Sequence, residues 1–240
     1  MLLRRITQHV KDQNWFAVVL DFVIVVFGVF MGFQVQQWNE HRKNLSDTHE
    51  YLARLAADME ISTARNDFQI STSQNEIKQL DLILSSLRSC QLSEEDKPAF
   101  TAGLYNMGKY DLPAMVMSTI DELNATGKFQ LIGDVSLKRQ ISETVREYNT
   151  TLSLDSQFSA RTIPSVNYVR TRVSFSFDEH FNRPDKLDPS KANYDFQQLC
   201  NDTTFINAIS TVREMTLATE ALNRLTLDNQ TAILAALAKN

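Results

Sequence analysis

The pattern of apolar and polar positions separates one uniformly apolar stretch near the start of the chain from a long amphipathic remainder. The eighteen positions from Phe16 to Phe33 (33 − 16 + 1) hold one ionisable residue, Asp21, among apolar side chains and two glycines. At about 1.5 Å rise per residue this stretch spans roughly 27 Å as a helix, close to a bilayer core of about 30 Å. We therefore predict a transmembrane helix over residues 15–38.

A tryptophan stands at each end of this stretch. Trp15 and Trp38 are 23 residues apart (38 − 15), which is roughly 35 Å along a helix. Because indole rings favour the headgroup level of a bilayer, we predict that both residues are interfacial anchors. The alternative is a buried helix of a soluble protein, which rarely needs so long an apolar run with an aromatic residue at each end.

The charges around the stretch predict its orientation. Arg4, Arg5 and Lys11 precede it, whereas the charges that follow it nearly cancel. The positive-inside rule therefore predicts a cytoplasmic, amphipathic lead-in over residues 1–14 and an extracytoplasmic domain over residues 39–240.

A cleaved secretory signal is the competing interpretation of the apolar stretch. Cleavage requires small residues just after the apolar core, and this core ends in Phe30-Met31-Gly32-Phe33. We therefore predict that the segment is retained as a signal anchor.

One face of the apolar helix carries unusual residues. Asp21, Val25, Gly28 and Gly32 follow a 4-3-4 spacing, which places them on a single stripe. The two glycines would let a second backbone approach closely. A carboxyl group in a membrane helix usually faces a protein partner rather than lipid. We predict that this stripe is a helix-packing surface, used for self-association or for binding another membrane protein.

The rest of the chain predicts an all-α fold, in which the transmembrane helix continues into a long helix and is followed by an extracytoplasmic helical bundle. Only 6 glycines and 5 prolines occur in 240 residues, and neither occurs between Phe33 and Pro98. An apolar repeat of seven residues follows the anchor at Leu45, Leu52 and Met59. A more polar patch over residues 62–74 interrupts the apolar stripe, which is restored from Ile77, Leu80, Leu84 and Leu87 to Cys90.

Caps and stops predict the remaining elements. We expect one helix that opens at Ser93 and passes Leu104, and a second from Pro113 to Gly127. A third helix is capped by Asp134, and a fourth is kinked or divided by Pro164 and ends near Phe177. The last helix runs from Asp202 almost to the end of the chain. We expect residues 178–194 to form a loop. The predicted buried faces are Leu137, Ile141, Val145, Tyr148 and Leu152, and then Phe205, Ile209, Val212, Met215, Leu222, Leu225 and Ile233.

Two cysteines, Cys90 and Cys200, lie at predicted helix ends. Outside the cytoplasm they could form a disulfide that joins the first helical arm to the start of the last helix. Alternatively they are two unrelated small apolar side chains. Neither belongs to a CxxC motif or a histidine pattern, so we predict no metal site there.

The chain carries no recognisable catalytic signature. His41 and His49 lack the i, i+4 spacing of metal ligands, and the acidic clusters resemble helix caps or solvated faces. No GxSxG, Walker A, GxGxxG or EF-hand pattern occurs. A net charge of −5 and a pI near 5.4 disfavour nucleic acid as a partner. We predict a protein that is not an enzyme and binds no cofactor or metal.

Two passages carry a resemblance. The first resembles the anchor of a family of uncharacterised bacterial membrane proteins, catalogued only as a domain of unknown function. It consists of Asn14-Trp15-Phe16-Ala17, Leu20-Asp21-Phe22-Val23-Ile24-Val25-Val26, Gly28-Val29-Phe30, Gln34-Val35 and Trp38-Asn39-Glu40. Glu122-Leu123, Thr126-Gly127, Phe129-Gln130-Leu131-Ile132, Leu137-Lys138 and Ile141 are similar to the family's second recurring block. The resemblance implies a mostly helical, single-pass inner-membrane protein of a Gram-negative bacterium, and it carries over no catalytic residue. Together with the predicted orientation, it leads us to expect residues 39–240 in the periplasm.

We therefore expect a non-enzymatic, membrane-anchored envelope protein. Its helical domain would scaffold or bind another envelope component, and its transmembrane helix would drive assembly. The alternative is an accessory subunit of an ion-driven membrane complex, on the plan of ExbD-, TolR- and MotB-type proteins, with Asp21 in proton transfer. An Asp21→Asn variant separates the two, because a proton carrier would lose function.

Overall fold

The computed structural model describes residues 15–177 and 187–239, with the side chains of residues 15–19, 21, 176–177 and 187–191 outside that description. The described elements are mostly helical, which confirms the all-α prediction. They are α1 (Trp15–Ser89), α2 (Lys97–Asn106), α3 (Ser118–Ala125), a 3-10 turn (Lys128–Leu131), α4 (Val135–Ser153), α5 (Asp155–Arg172), β1 (Ser174–Phe177), β2 (Leu187–Asn193), α6 (Phe196–Asn201) and α7 (Thr203–Leu237). The chain divides into two compact units, Met1–Tyr51 and Leu52–Asn240.

Helix α1 runs for 75 residues without interruption, as the absence of glycine and proline after the anchor predicts. Its end is a Schellman-type cap, in which the Gln91 N–H donates to the Ser86 carbonyl and the Cys90 N–H donates to the Leu87 carbonyl. Cys90 takes the left-handed conformation (φ 50°) that glycine usually fills at this position. The predicted lead-in over residues 1–14 lies outside the described residues.

In the larger unit, α1 and α7 lie side by side in opposite directions. Their side chains meet at three levels, Asn66 with Gln230, Gln74 with Glu220, and Asp81 with Arg213. Residue numbers rise along one helix as they fall along the other, so the helices are antiparallel. Helices α4 and α5 also contact α7, which completes the bundle.

An apolar core fills the bundle near the end of α1. Phe100 of α2 and Phe205 of α7 are fully buried there, together with Leu80, Ile83, Leu84, Leu87, Leu104, Val169, Val173, Leu199, Ile209 and Val212. Gly103 lets α2 approach α1 closely, because a Cβ at this position would lie 2.9 Å from Cδ1 of Ile83.

Several caps are confirmed. Asp134 accepts the N–H groups of Ser136 and Leu137, and Asp202 accepts the Phe205 N–H at the start of α7. Gly127 ends α3 in a left-handed conformation (φ 69°). The helix predicted to open at Ser93 begins later, at Lys97.

Two helix boundaries were predicted incorrectly. Pro113 does not start a helix, because α3 begins at Ser118 and residues 107–117 form a segment without helix or strand, called the strap. Pro164 does not divide its helix, since α5 runs through it and the break falls at Leu154. Contact with α7 along α5 outweighs the roughly 3 kcal/mol that an interior proline costs.

The helix predicted to end near Phe177 is also wrong at its end. Helix α5 stops at Arg172, and the next residues form β1, which pairs antiparallel with β2. Ser174 lies opposite Asn193, and Phe175 lies opposite Ala192. The partner strand falls within the predicted loop, where Pro189 argued against a strand.

The predicted buried faces are correct only in part. Leu137, Ile141, Phe205, Ile209, Val212, Met215 and Ile233 are buried, as are Leu55, Met59, Leu80, Leu84 and Leu87 of α1. Leu45, Leu152 and Leu225 are exposed instead, and Ile77, Val145, Tyr148 and Leu222 are half-buried. In their place the bundle buries polar side chains, among them Thr144 and Thr151 of α4 and Asn223, Thr226 and Gln230 of α7.

Candidate functional site

The apolar part of α1 forms the longest run of exposed hydrophobic side chains in the described chain. Phe22 is 69% exposed, Val25 is 64% exposed and Phe33 is 61% exposed. Among the described residues, one helix near the N-terminus is long and apolar enough to cross a membrane, and none of its most apolar window is buried. An apolar surface of this size on a folded protein usually marks a contact with lipid or with another protein.

The residues predicted for helix packing are open. A Cβ added at Gly28 or at Gly32 would meet no atom within 4 Å, so the stripe they share with Val25 has room for a second backbone. The side chain of Asp21 lies outside the described residues.

Of the two predicted interfacial anchors, Trp38 can be described. The residue is 64% exposed, and the guanidinium carbon of Arg42 lies 5.5 Å from the ring centroid. Such a cation over an indole face is a favourable contact that suits the boundary between apolar and polar surroundings. The Trp15 side chain is outside the described residues.

The two cysteines form a disulfide. Cys90 follows the end of α1 and Cys200 lies in α6, with their Cα atoms 5.5 Å apart and a sequence separation of 110. That spacing is typical of disulfides. Closing a loop of this length restricts the unfolded chain, which stabilises the fold by about 4–5 kcal/mol in the chain-entropy model.

The strap is held between α1 and α7 by buried side chains of both helices. Asn66 of α1 pairs with Ala114 as a neighbouring strand would, because its Nδ2 donates to the Ala114 carbonyl at 2.8 Å and its Oδ1 accepts the Ala114 N–H at 2.8 Å. Gln230 of α7 adds a second donor to the same carbonyl at 2.8 Å. These contacts replace the main-chain partners that a helix or a sheet would supply.

Three more side chains bind the main chain of the strap. Ser62 Oγ accepts the Val116 N–H at 2.9 Å, and Asn223 Nδ2 donates to the Asp111 carbonyl at 3.1 Å. Glu76 Oε1 accepts the Gly108 N–H at 2.9 Å. Ser62, Asn66, Asn223 and Gln230 are fully buried and Glu76 is 6% exposed. We call these five side chains the polar layer.

Glu76 is the charged member of the polar layer. The pKa of its carboxyl group is raised from 4.5 to about 7, chiefly by burial; the Gly108 N–H and Lys109 act to lower the pKa, and Asp111 acts to raise it. Gly108 itself is fixed, since it has φ of 79° and a Cβ there would lie 2.4 Å from Cγ2 of Val166.

Sequence reasoning missed the polar layer. The polar patch over residues 62–74 was noticed, but its counterpart on α7 was not. That counterpart follows a 3-4 spacing through Thr216, Thr219, Asn223, Thr226 and Gln230. The apolar seam of α1 and that of α7 are each interrupted by polar residues, and the two interruptions lie opposite each other in the antiparallel pair. This match was the signal from which the polar layer could have been predicted.

A cleft of about 720 Å³ lies between the start of α2 and residues 192–197. Its polar groups largely bind one another, as Lys97 pairs with Glu94 and the Thr101 hydroxyl lies 3.2 Å from the Tyr194 hydroxyl. In the described part of the chain, no group of three or more His, Cys, Asp or Glu side chains could hold a metal ion.

Comparison with known proteins gives no relative: no family model matches the chain, and neither does any curated protein or solved structure.

Proposed function

We propose that this chain is a membrane-anchored structural protein of the bacterial envelope. Residues 15–38 cross the inner membrane, and the helical domain that follows scaffolds or binds another envelope component in the periplasm. The observation that carries the proposal is the exposed apolar surface of α1, where Phe22, Val25 and Phe33 are all more than 60% exposed.

Two features support the orientation. Arg4, Arg5 and Lys11 precede the anchor, and cations of this kind favour the cytoplasmic side. The Cys90–Cys200 disulfide belongs to the domain that follows, and disulfides persist in oxidising compartments such as the periplasm.

The open stripe at Val25, Gly28 and Gly32 supports assembly through the membrane helix. In lipid, apolar burial does not drive helix association, so helices pair where small residues allow close contact. A second copy of this chain is the simplest partner for such a stripe.

Thiol labelling tests the orientation. Thr7→Cys and Ser46→Cys place one new thiol on each side of the predicted span, in a chain whose own cysteines are bridged. We expect a membrane-impermeant maleimide, applied to cells with a permeabilised outer membrane, to label Ser46→Cys at once and Thr7→Cys only after lysis. The reverse order would contradict the proposed orientation.

Cysteine crosslinking tests the assembly. We expect Gly32→Cys to give a disulfide-linked dimer or a partner adduct in native membranes, and Phe30→Cys, on the opposite face of the helix, to give little. Equal crosslinking at both positions, or none at Gly32→Cys, would remove the assembly part of the proposal.

A further inference from the structure

We propose that Glu76 is a proton-controlled latch on the strap: the protonated carboxyl group holds residues 108–111 against α1, and ionisation favours their release. This inference concerns the larger unit alone and does not depend on where the domain resides.

The contact that forms the latch is short, and it joins a buried side chain to a half-buried residue of the strap. Glu76 Oε1 accepts the Gly108 N–H at 2.9 Å, and the Glu76 side chain is 6% exposed. On its other side Gly108 is pressed against Val166 of α5, so that not even a methyl group fits between them. The Glu76 side chain is therefore largely removed from water while this end of the strap is in place, and it gains more contact with water if that end moves.

The charges around the carboxyl group set the direction of the switch. Within the described residues, the charged groups that act on Glu76 are Lys109 and Asp111, both of which lie on the strap itself. Lys109 favours the ionised form and Asp111 opposes it, while burial opposes it most strongly. An ionised Glu76 is thus relieved chiefly by gaining contact with water.

Linkage gives the size of the effect. In the closed state the pKa of Glu76 is raised from 4.5 to about 7, whereas in an open strap the carboxyl group meets water and regains its ordinary value. The closed state binds the proton more tightly, so closure is favoured fully below the ordinary pKa and loses that advantage as the pH rises to about 7. The ratio of open to closed strap therefore increases by about 300-fold in total.

The remaining strap contacts explain why release is local. Asn66, Gln230 and Ser62 hold Ala114 and Val116 with neutral groups, whose hydrogen bonds do not change with pH in this range. Towards the latch, Asn223 contributes one longer bond to Asp111 at 3.1 Å, and its own Oδ1 is buried without a hydrogen-bond partner. Opening is therefore expected at residues 108–111 and not at residues 114–116.

Amide hydrogen exchange of the full chain in detergent micelles tests the latch between pH 5 and pH 8. After correction for the intrinsic exchange rate, we expect the protection of the Gly108 amide to fall by about 50- to 100-fold over this range. Glu76→Gln keeps an Oε1 acceptor without a charge, and we expect it to abolish most of this dependence. Glu60→Gln removes an exposed carboxylate from the same helix and is expected to behave as the wild type.

Hydrogen exchange of the wild-type chain alone also shows whether release of the strap is local. This measurement keeps the proposal testable if the Glu76→Gln variant fails to fold. We expect Gly108 to be less protected than Ile209 of the core, with little sensitivity to low urea concentrations. Equal protection and equal urea dependence for the two amides would mean that the strap opens only when the whole domain unfolds, and would overturn the proposal. An unchanged pH dependence in Glu76→Gln would overturn it as well.

Discussion

Helix α1 carries two very different surfaces along one continuous backbone. In its first part the apolar side chains are exposed, from 48% at Leu20 to 69% at Phe22. Further along, Leu55, Met59 and Leu80 are fully buried. The same helical geometry thus serves a segment whose described apolar side chains are exposed and a segment that packs into a bundle, so surroundings rather than helix propensity distinguish the two.

The comparison also shows how each part treats polar residues. The eighteen positions from Phe16 to Phe33 include one ionisable residue, Asp21, whereas the buried part contains Ser62, Asn66 and Glu76 in its own seam. Each of these three binds the main chain of the strap. In this fold, the polar residues that interrupt the apolar seam of α1 therefore mark the level at which the helix binds the irregular backbone of the strap.

The largest effect is expected from charged substitutions in the exposed apolar part of α1. Val25→Arg combined with Val29→Arg places two charges in the predicted span, at about 2.5–3.5 kcal/mol each on insertion scales. We expect the double variant to lose stable membrane integration, measured as the fraction that remains in the membrane pellet after alkaline extraction. Leu45→Arg, outside the predicted span, is the control, and equal loss in the control would contradict this interpretation.

Removing the disulfide weakens the buried part as a whole. We expect Cys90→Ser with Cys200→Ser to lower the free energy of unfolding by about 4–5 kcal/mol, because the unfolded chain regains the freedom of a long loop. Urea denaturation of the full chain in detergent measures the change. A reductant is expected to shift the wild type in the same way and to leave the double variant unchanged, and a reductant-insensitive wild type would show that the bridge is not formed.

A smaller effect is expected in the polar layer. Asn66→Ala leaves the half-buried Ala114 N–H without its partner, and we expect a loss of about 2–3 kcal/mol in the free energy of unfolding. Asn75→Ala, an exposed asparagine on the same helix, is the matched control and is expected to change stability by less than about 0.5 kcal/mol. Similar losses in both would show that helix propensity, not the strap, explains the result.

An effect of similar size depends on pH. Because the folded-state pKa of Glu76 is raised to about 7, its ionisation destabilises the fold progressively as the pH rises through the range between its ordinary value and 7. We therefore expect Glu76→Gln to stabilise the domain by about 2–3 kcal/mol at pH 8 and to have little effect near pH 4.5. Urea denaturation at both pH values measures the change in stability, with Glu60→Gln as control. A stabilisation by Glu76→Gln that is equal at both pH values would contradict the raised pKa of Glu76.

Prediction from sequence succeeded where the signal is local. The length of α1 follows from the absence of glycine and proline, and the caps at Asp134 and Asp202 follow from residues beside each helix start. It failed where the partner is distant. Asn66 meets Gln230 across 164 residues of sequence, and β1 meets a strand that contains Pro189. The burial of Asn66, Asn223 and Gln230 could not be predicted, because the sequence alone does not reveal the strap whose main chain they bind.

Alkaline extraction of the unaltered full-length chain from cell membranes tests the central claim most directly. If the apolar surface of α1 lies in lipid, the chain will stay in the membrane pellet and enter solution only with detergent. Recovery of the chain in the detergent-free supernatant would contradict the account.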